Sequence, residues 1–291
     1  MKDSRTRWTG ATPSMAATPH SAAGGQPKML IMDFCGAYLR PLGGWCPIVK
    51  IVQLMSELGV DDTATRSALA RMRERGLLEA DKRHGLRGLR LTDTALPLLA
   101  ESDQRIFGHH LPARLGDGWV LVSFSVPEHE RAKRHLLRSK LSWLGFGNLN
   151  NGLWMAPRRT APDLDKAVKE LGFEQYVMTF EGTYTGFDDL AELARRTWGL
   201  DELAALYEEF LRWAEPVAER WAGEHPHGRQ AFTDYTLSLY HWRKFPYLDP
   251  GLPDELLPQG WPGGPAAERF TALRMRLETP ALEYVRTVCS I

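Results

Sequence analysis

Apolar residues recur at helical spacing through Ile48, Ile51, Val52, Met55 and Leu58, and Pro47 before them and Gly59 after them bound one amphipathic helix. Upstream, Met29-Leu30-Ile31-Met32 opens a shorter helix to about Leu39, which Arg40-Pro41-Leu42-Gly43-Gly44 ends. Downstream, Asp61 or Asp62 is placed to cap a further helix, on which Thr65, Leu69, Met72 and Gly76 fall on one side. The opposite side holds Thr63, Ser67 and Ala70, with Arg66 and Arg73 along one margin and Arg71 along the other. Residues 77–80 and 89–91 read as two short strands joined by a basic turn over 81–88, and Thr92 or Asp93 then caps a helix from 94 to about 107.

The pattern changes near residue 119. Trp119-Val120-Leu121-Val122-Ser123-Phe124 is a β-branched and aromatic run closed by Val126-Pro127, which predicts a buried strand. A helix over 128–144 buries Leu137, Leu141 and Leu144 until Gly145-Phe146-Gly147 breaks it. Strand-like 152–156, a helix over about 161–171 and a strand over 174–180 follow, an order that predicts a split βαβ, ferredoxin-like layer. From about Phe187 the chain is mostly helical, with Leu190, Leu193, Leu203, Leu206, Phe210, Trp213 and Val217 forming packed faces, and Pro and Gly return between 245 and 265. Residues 1–28, rich in Ala, Thr, Ser, Gly and Pro, predict a flexible tail.

At 43% hydrophobic and 25% charged residues the 291-residue chain has enough apolar mass for two or three cores. Lys plus Arg and Asp plus Glu both total 36, so the net charge identifies no partner until the charges are located. Arg66, Arg71, Arg73, Arg75, Lys82, Arg83, Arg87 and Arg90 crowd into 63–90, whereas carboxylates dominate 188–224. Cys35, Cys46 and Cys289 lack the spacing of a disulfide framework or zinc knuckle. No run approaches the roughly 20 apolar residues of a membrane span, and no signal peptide is read at the start, so a cytoplasmic protein is expected.

Helix, tight turn, helix and basic hairpin are the parts of a winged helix-turn-helix, in which a recognition helix enters the major groove while the wing holds phosphates. Thr63, Thr65, Arg66, Ser67, Ala70, Arg71 and Arg73 are the candidate DNA contacts on the helix, and Lys82, Arg83, His84 and Arg87 those on the wing. Leu39 to Trp45, Thr65 to Met72 and Arg75 to Leu78, then Leu141-Ser142-Trp143-Leu144-Gly145-Phe146-Gly147-Asn148-Leu149 with Gly152 to Pro157, and last Tyr247 to Gly263 form a series of unusual strings. In these strings the chain resembles the PaaX-type repressors associated with phenylacetic acid catabolism.

The resemblance implies an α+β chain with an N-terminal winged helix-turn-helix, a central Cas2-like ferredoxin layer and a helical C-terminal domain. It also implies a homodimer on double-stranded operator DNA, released by an acyl-CoA effector such as phenylacetyl-CoA. The corresponding divisions are a tail over 1–28, a DNA-binding unit with linker helix over 29–110, the Cas2-like unit over 111–186 and a dimerisation and effector-response domain over 187–291. No cofactor or enzymatic activity is expected. Arg134, Arg138, Trp143, Phe146, Trp154, Trp242 and Arg243 are the candidate effector residues, as an aromatic lining with cations for phosphates.

Two rival readings bear on the same residues. A Cas2-like metal-dependent nuclease needs converging carboxylates, and only Glu128 stands beyond the first central strand. An adaptor would instead use the basic hairpin against an acidic protein. Gly223-Glu224-His225-Pro226-His227 has metal-ligand residue types, but Pro226 makes a surface loop the expected state.

Overall fold

The computed structural model describes residues 27–108, 112–150, 152–223 and 225–290. The tail expected over 1–28 therefore lies outside the described residues except at its end, where Pro27 and Lys28 already belong to helix α1 (Pro27–Phe34). The chain continues through a π-helical turn, Cys35–Leu39, and this first segment buries Leu30, Ile31, Phe34, Tyr38 and Leu39. Helix α2 (Ile48–Glu57) buries Ile51, Leu54 and Met55, and helix α3 (Asp62–Glu74) buries Thr65, Ala68, Leu69 and Met72 against it. The helix expected beyond the hairpin is α4 (Ala95–Phe107).

Two features of this region were not legible. Trp45–Pro47 forms a short buried strand, β1, that pairs with the hairpin and aligns Cys46 opposite Leu89. The hairpin itself, β2 (Leu78–Arg83) and β3 (Leu86–Leu91), is longer than expected, because only His84 and Gly85 form its turn. Their φ values of 49° and 79° fit the two left-handed positions of a type I′ turn, the connection whose twist matches paired strands. Beyond the Asp81–Gly88 pair both faces of the hairpin meet solvent, so no apolar alternation marks these residues as strand.

In the middle of the chain a four-stranded antiparallel sheet has the order β5-β6-β4-β7, built from β4 (Trp119–Phe124), β5 (Gly147–Asn150), β6 (Leu153–Pro157) and β7 (Val177–Gly182). Helices α5 (Arg131–Trp143) and α6 (Ala161–Leu171) cover one face, packing Leu137, Leu141, Leu164 and Val168 on Val120, Val122, Trp154 and Ala156. The helix expected from Glu128 begins at Arg131 after a 3-10 turn, and the strand expected from Glu174 begins at Val177 after another. Trp119 and Met155 point to the other face, against Ala194, Leu200, Leu252 and Leu256.

The last third is helical: α7 (Leu190–Trp198), α8 (Leu200–Arg220), α9 (Gly228–Trp242), the short α10 (Phe245–Leu248) and α11 (Gly263–Cys289). Buried Asp234 of α9 accepts hydrogen bonds from Arg220 (2.6 Å), Trp221 Nε1 (2.8 Å) and Gln230 (2.9 Å), fastening the end of α8 to α9. Tyr38 reaches Thr236 of α9 at 2.7 Å. The first 80 or so described residues and these helices share one continuous apolar core, from Phe34 and Leu54 to Phe232, Leu277 and Val285. That sharing holds the N-terminal unit against α9 and α11 instead of leaving it on a free linker. Among the described residues no helix is long and apolar enough to cross a membrane.

Candidate nucleic-acid interface

Helix α3 divides cleanly into two sides. Thr65, Ala68, Leu69 and Met72 are buried, while Thr63, Arg66, Ser67, Ala70, Arg71 and Arg73 are exposed, as 3.6-residue periodicity requires when one face enters a core. Thr65, expected among the DNA contacts, is thus corrected to the interior side. Its 0% exposure leaves no path to a duplex, and its Oγ1 has no hydrogen-bond partner among the described residues.

The helix is well started and well polarised. Asp61 is the N-cap, its carboxylate accepting from the Ala64 amide at 2.8 Å. Asp62 lies in the first turn and Arg71 and Arg73 in the last, each complementing the helix dipole. Arg66 is paired with Asp62 one turn back, whereas Arg71 donates to Ser67 Oγ at 2.8 Å. The Arg71 guanidinium is thereby held over the small-residue strip formed with Thr63 and Ala70. Ala70 presents only a methyl group, and Ser67 a short hydroxyl, so the helix backbone can come close to base edges.

The hairpin extends this surface. Lys82, Arg83, His84 and Arg87 are all exposed around the His84-Gly85 turn. Arg83 Nε donates to Asp81 at 2.8 Å, and its guanidinium stands 5.5 Å from the centre of the Trp45 ring. Thr92 Oγ1 donates to the Gly76 carbonyl oxygen at 2.6 Å and lies 3.3 Å from the Ala95 amide, joining the end of α3 to the start of α4.

Lys28 and Arg75 belong to the same basic margin and were missed as candidates. Partial burial lowers the Lys28 pKa, and Arg75, Arg243 and Arg71 lower it further. Sequence spacing does not reveal this cluster, because α1 must first pack on α3 to bring Lys28 toward Arg71 and Arg75.

The seven candidate effector residues fall in different parts of the fold. Phe146 and Trp154 are packed in the sheet–helix core, while Trp242 stacks on Phe270 at 4.7 Å and donates to the Ile106 carbonyl at 3.3 Å. Arg243 is engaged with Asp33 at 2.6 Å, and burial pushes that carboxyl up to about 7 while Arg243 acts in the opposite direction. Arg134 donates to Glu128 and to the Val126 carbonyl, Arg138 lies over Trp154, and Trp143 is flanked by Lys140 and Arg105. Phe146 and Trp154 thus pack in one core and Trp242 in another. A surface groove of about 770 Å³ lies instead beside Asp117, Arg158, Arg159, Asp165, Thr179 and Glu181, with Arg158 paired to Glu181 at 2.7 Å.

Glu128, the carboxylate weighed for a nuclease, pairs with Arg134 at 3.2 Å. Among the described residues no three His, Cys, Asp or Glu side chains converge as metal ligands. His225 and His227 lie in loop, as the intervening proline predicts, and Glu224 lies outside the described residues.

Three family descriptions match the chain in order. Residues 26–95 match the PaaX-like protein, 112–194 the PaaX protein central Cas2-like domain, and 198–287 the PaaX-like protein C-terminal domain. The transcriptional repressor PaaX of Escherichia coli (strain K12) is 27% identical over 261 residues, covering 88% of this chain and 82% of that protein. An uncharacterized protein from Mycobacterium tuberculosis, Rv0674, superposes with a TM-score of 0.56 at 21% identity over 87% of this chain and 95% of its own, a likeness of fold. Matched from its first helix to its last, this mixed α/β chain with a Cas2-like central domain belongs to the PaaX family.

Proposed function

We propose that this chain is a sequence-specific DNA-binding transcriptional repressor and not an enzyme, with 29–110 acting as a winged helix-turn-helix. The observation that carries the reading is the exposed face of α3, where Thr63, Arg66, Ser67, Ala70 and Arg71 stand clear of the protein's own core. Arg71 reads a base edge; Arg73, Arg75, Lys82 and Arg87 neutralise phosphates on either side. Similarity to a protein named as a transcriptional repressor supports the same direction.

The β–α–β–β–α–β order of 111–186, with the sheet arranged β5-β6-β4-β7, supports a ferredoxin-like layer that packs on the helical domain through Trp119 and Met155. Two chains then present two α3 helices to successive major grooves about 34 to 36 Å apart, or at a multiple of that spacing. The helical region 187–291 provides the dimer surface. An acyl-CoA effector of a catabolic operon shifts the head spacing by binding one arrangement more tightly than the other. The protein acts in the cytoplasm. The nuclease alternative is weakened by the engagement of Glu128 with Arg134.

Footprinting on DNA flanking the chain's own gene, with and without a panel of acyl-CoA thioesters, tests the whole reading. Two protected half-sites in register with one helical turn, lost on adding one thioester, are expected. Uniform, sequence-independent retention at every salt concentration would reject it.

A further inference from the structure

Cys46 lies in β1, beside the hairpin and immediately before α2, whereas Cys289 is the last residue of α11. The fold brings these two free thiols together across nearly the whole chain, with their Sγ atoms 3.0 Å apart. Cys46 is buried and Cys289 is half-buried, so an aqueous oxidant meets Cys289 first. The third cysteine, Cys35, is buried.

We propose that Cys46 and Cys289 are a peroxide-oxidised pair whose intrachain disulfide fastens the N-terminal unit to the end of α11. The Cys289 thiolate attacks one oxygen of hydrogen peroxide, the O–O bond breaks, and the departing hydroxide takes up a proton to leave as water. Cys289 is then a sulfenic acid. The Cys46 sulfur attacks that sulfur, the S–S bond forms, and the expelled hydroxide leaves as a second water with the Cys46 proton. One peroxide is thus reduced to two waters while two thiols lose two electrons.

The local chemistry assigns the roles in that order. The hydrogen bond from the Cys46 thiol holds the Cys289 thiol below its ordinary range, with Lys50 adding to the effect, whereas the same contact and burial push Cys46 up. Cys289 is therefore the thiolate that reacts and Cys46 the resolving partner. The bond would reinforce a seam already made by Tyr284 of α11, whose hydroxyl reaches the Glu57 carboxylate of α2 at 3.0 Å. The proposal stands whether or not the chain binds DNA.

The test treats the full-length reduced chain with hydrogen peroxide, alkylates it under denaturing conditions and maps its peptides without reductant. A peptide pair joined through Cys46 and Cys289, lighter than its parts by two hydrogens and separated by dithiothreitol, is expected, with Cys35 alkylated. The oxidised chain should also unfold at a higher urea concentration than the reduced one, because the link closes a very long loop of the unfolded chain. Cys289→Ser should abolish the joined pair and the urea shift, while Cys35→Ser should retain both. Recovery of Cys46 as free thiol beside over-oxidised Cys289, linkage only between separate chains, or an unmoved urea midpoint after bond formation would overturn the proposal.

Discussion

The indole of Trp45 occupies the space that a side chain on Gly88 would fill: a Cβ there would fall 2.5 Å from both Cε2 and Nε1 of the ring. Strand β1 runs antiparallel to β3 at this point, with Pro47 opposite Gly88. The aromatic ring, itself 9% exposed, therefore sets how the basic hairpin lies on the body of the first unit. Gly88→Ala should force the ring or the hairpin aside and destabilise the protein by about 1 to 3 kcal/mol, the usual range for overpacking. Urea denaturation measures this, and a variant of unchanged stability would show that the hairpin accommodates the methyl group freely.

Arg71 and Thr65 make a paired test of which side of α3 meets DNA. Arg71→Ala should weaken operator binding by about 1 to 3 kcal/mol at fixed salt without changing stability appreciably. Thr65→Val should leave operator affinity unaltered and raise stability by about 1 kcal/mol, because it removes a buried hydroxyl that has no partner. Fluorescence anisotropy with the operator, together with thermal denaturation, distinguishes the two effects.

The hairpin cations should act on affinity without selecting sequence. Replacing either Lys82 or Arg87 by Ala should lower affinity for operator and unrelated DNA alike and reduce the slope of log K against log salt by about 1. A loss confined to the operator would instead assign that side chain to base reading.

Stability should depend on pH through Asp33. Burial raises its carboxyl to about 7 in the folded chain, above about 4 in the unfolded one. A raised carboxyl keeps its proton longer when folded, so its contribution is fully present below pH 4 and declines as pH rises towards 7. Asp33→Asn, which cannot ionise, should gain stability relative to the parent across that interval and hold a constant difference above it. Parallel urea titrations from pH 4 to 8 give the difference directly, and a flat difference would mean that Asp33 folds without change in its proton affinity.

Local pattern was enough to read the helices of the first two units and most of their strands, though not β1 or β5, the basic character of 63–90 and the orientation of α3, because each depends on period, caps and breakers within a dozen residues. Asp61 capping and the buried Leu69 and Met72 follow from such rules. The two-residue turn at His84-Gly85 was obscured because an exposed hairpin carries no apolar alternation, and β1 because three residues contain no period at all. Packing alone decided that Trp242 and Arg243 serve the interior, that Lys28 joins Arg71 and Arg75, and that Cys46 meets Cys289. These are relationships between segments distant in the chain, fixed by how apolar faces exclude water together, and no stretch of residues holds that information by itself.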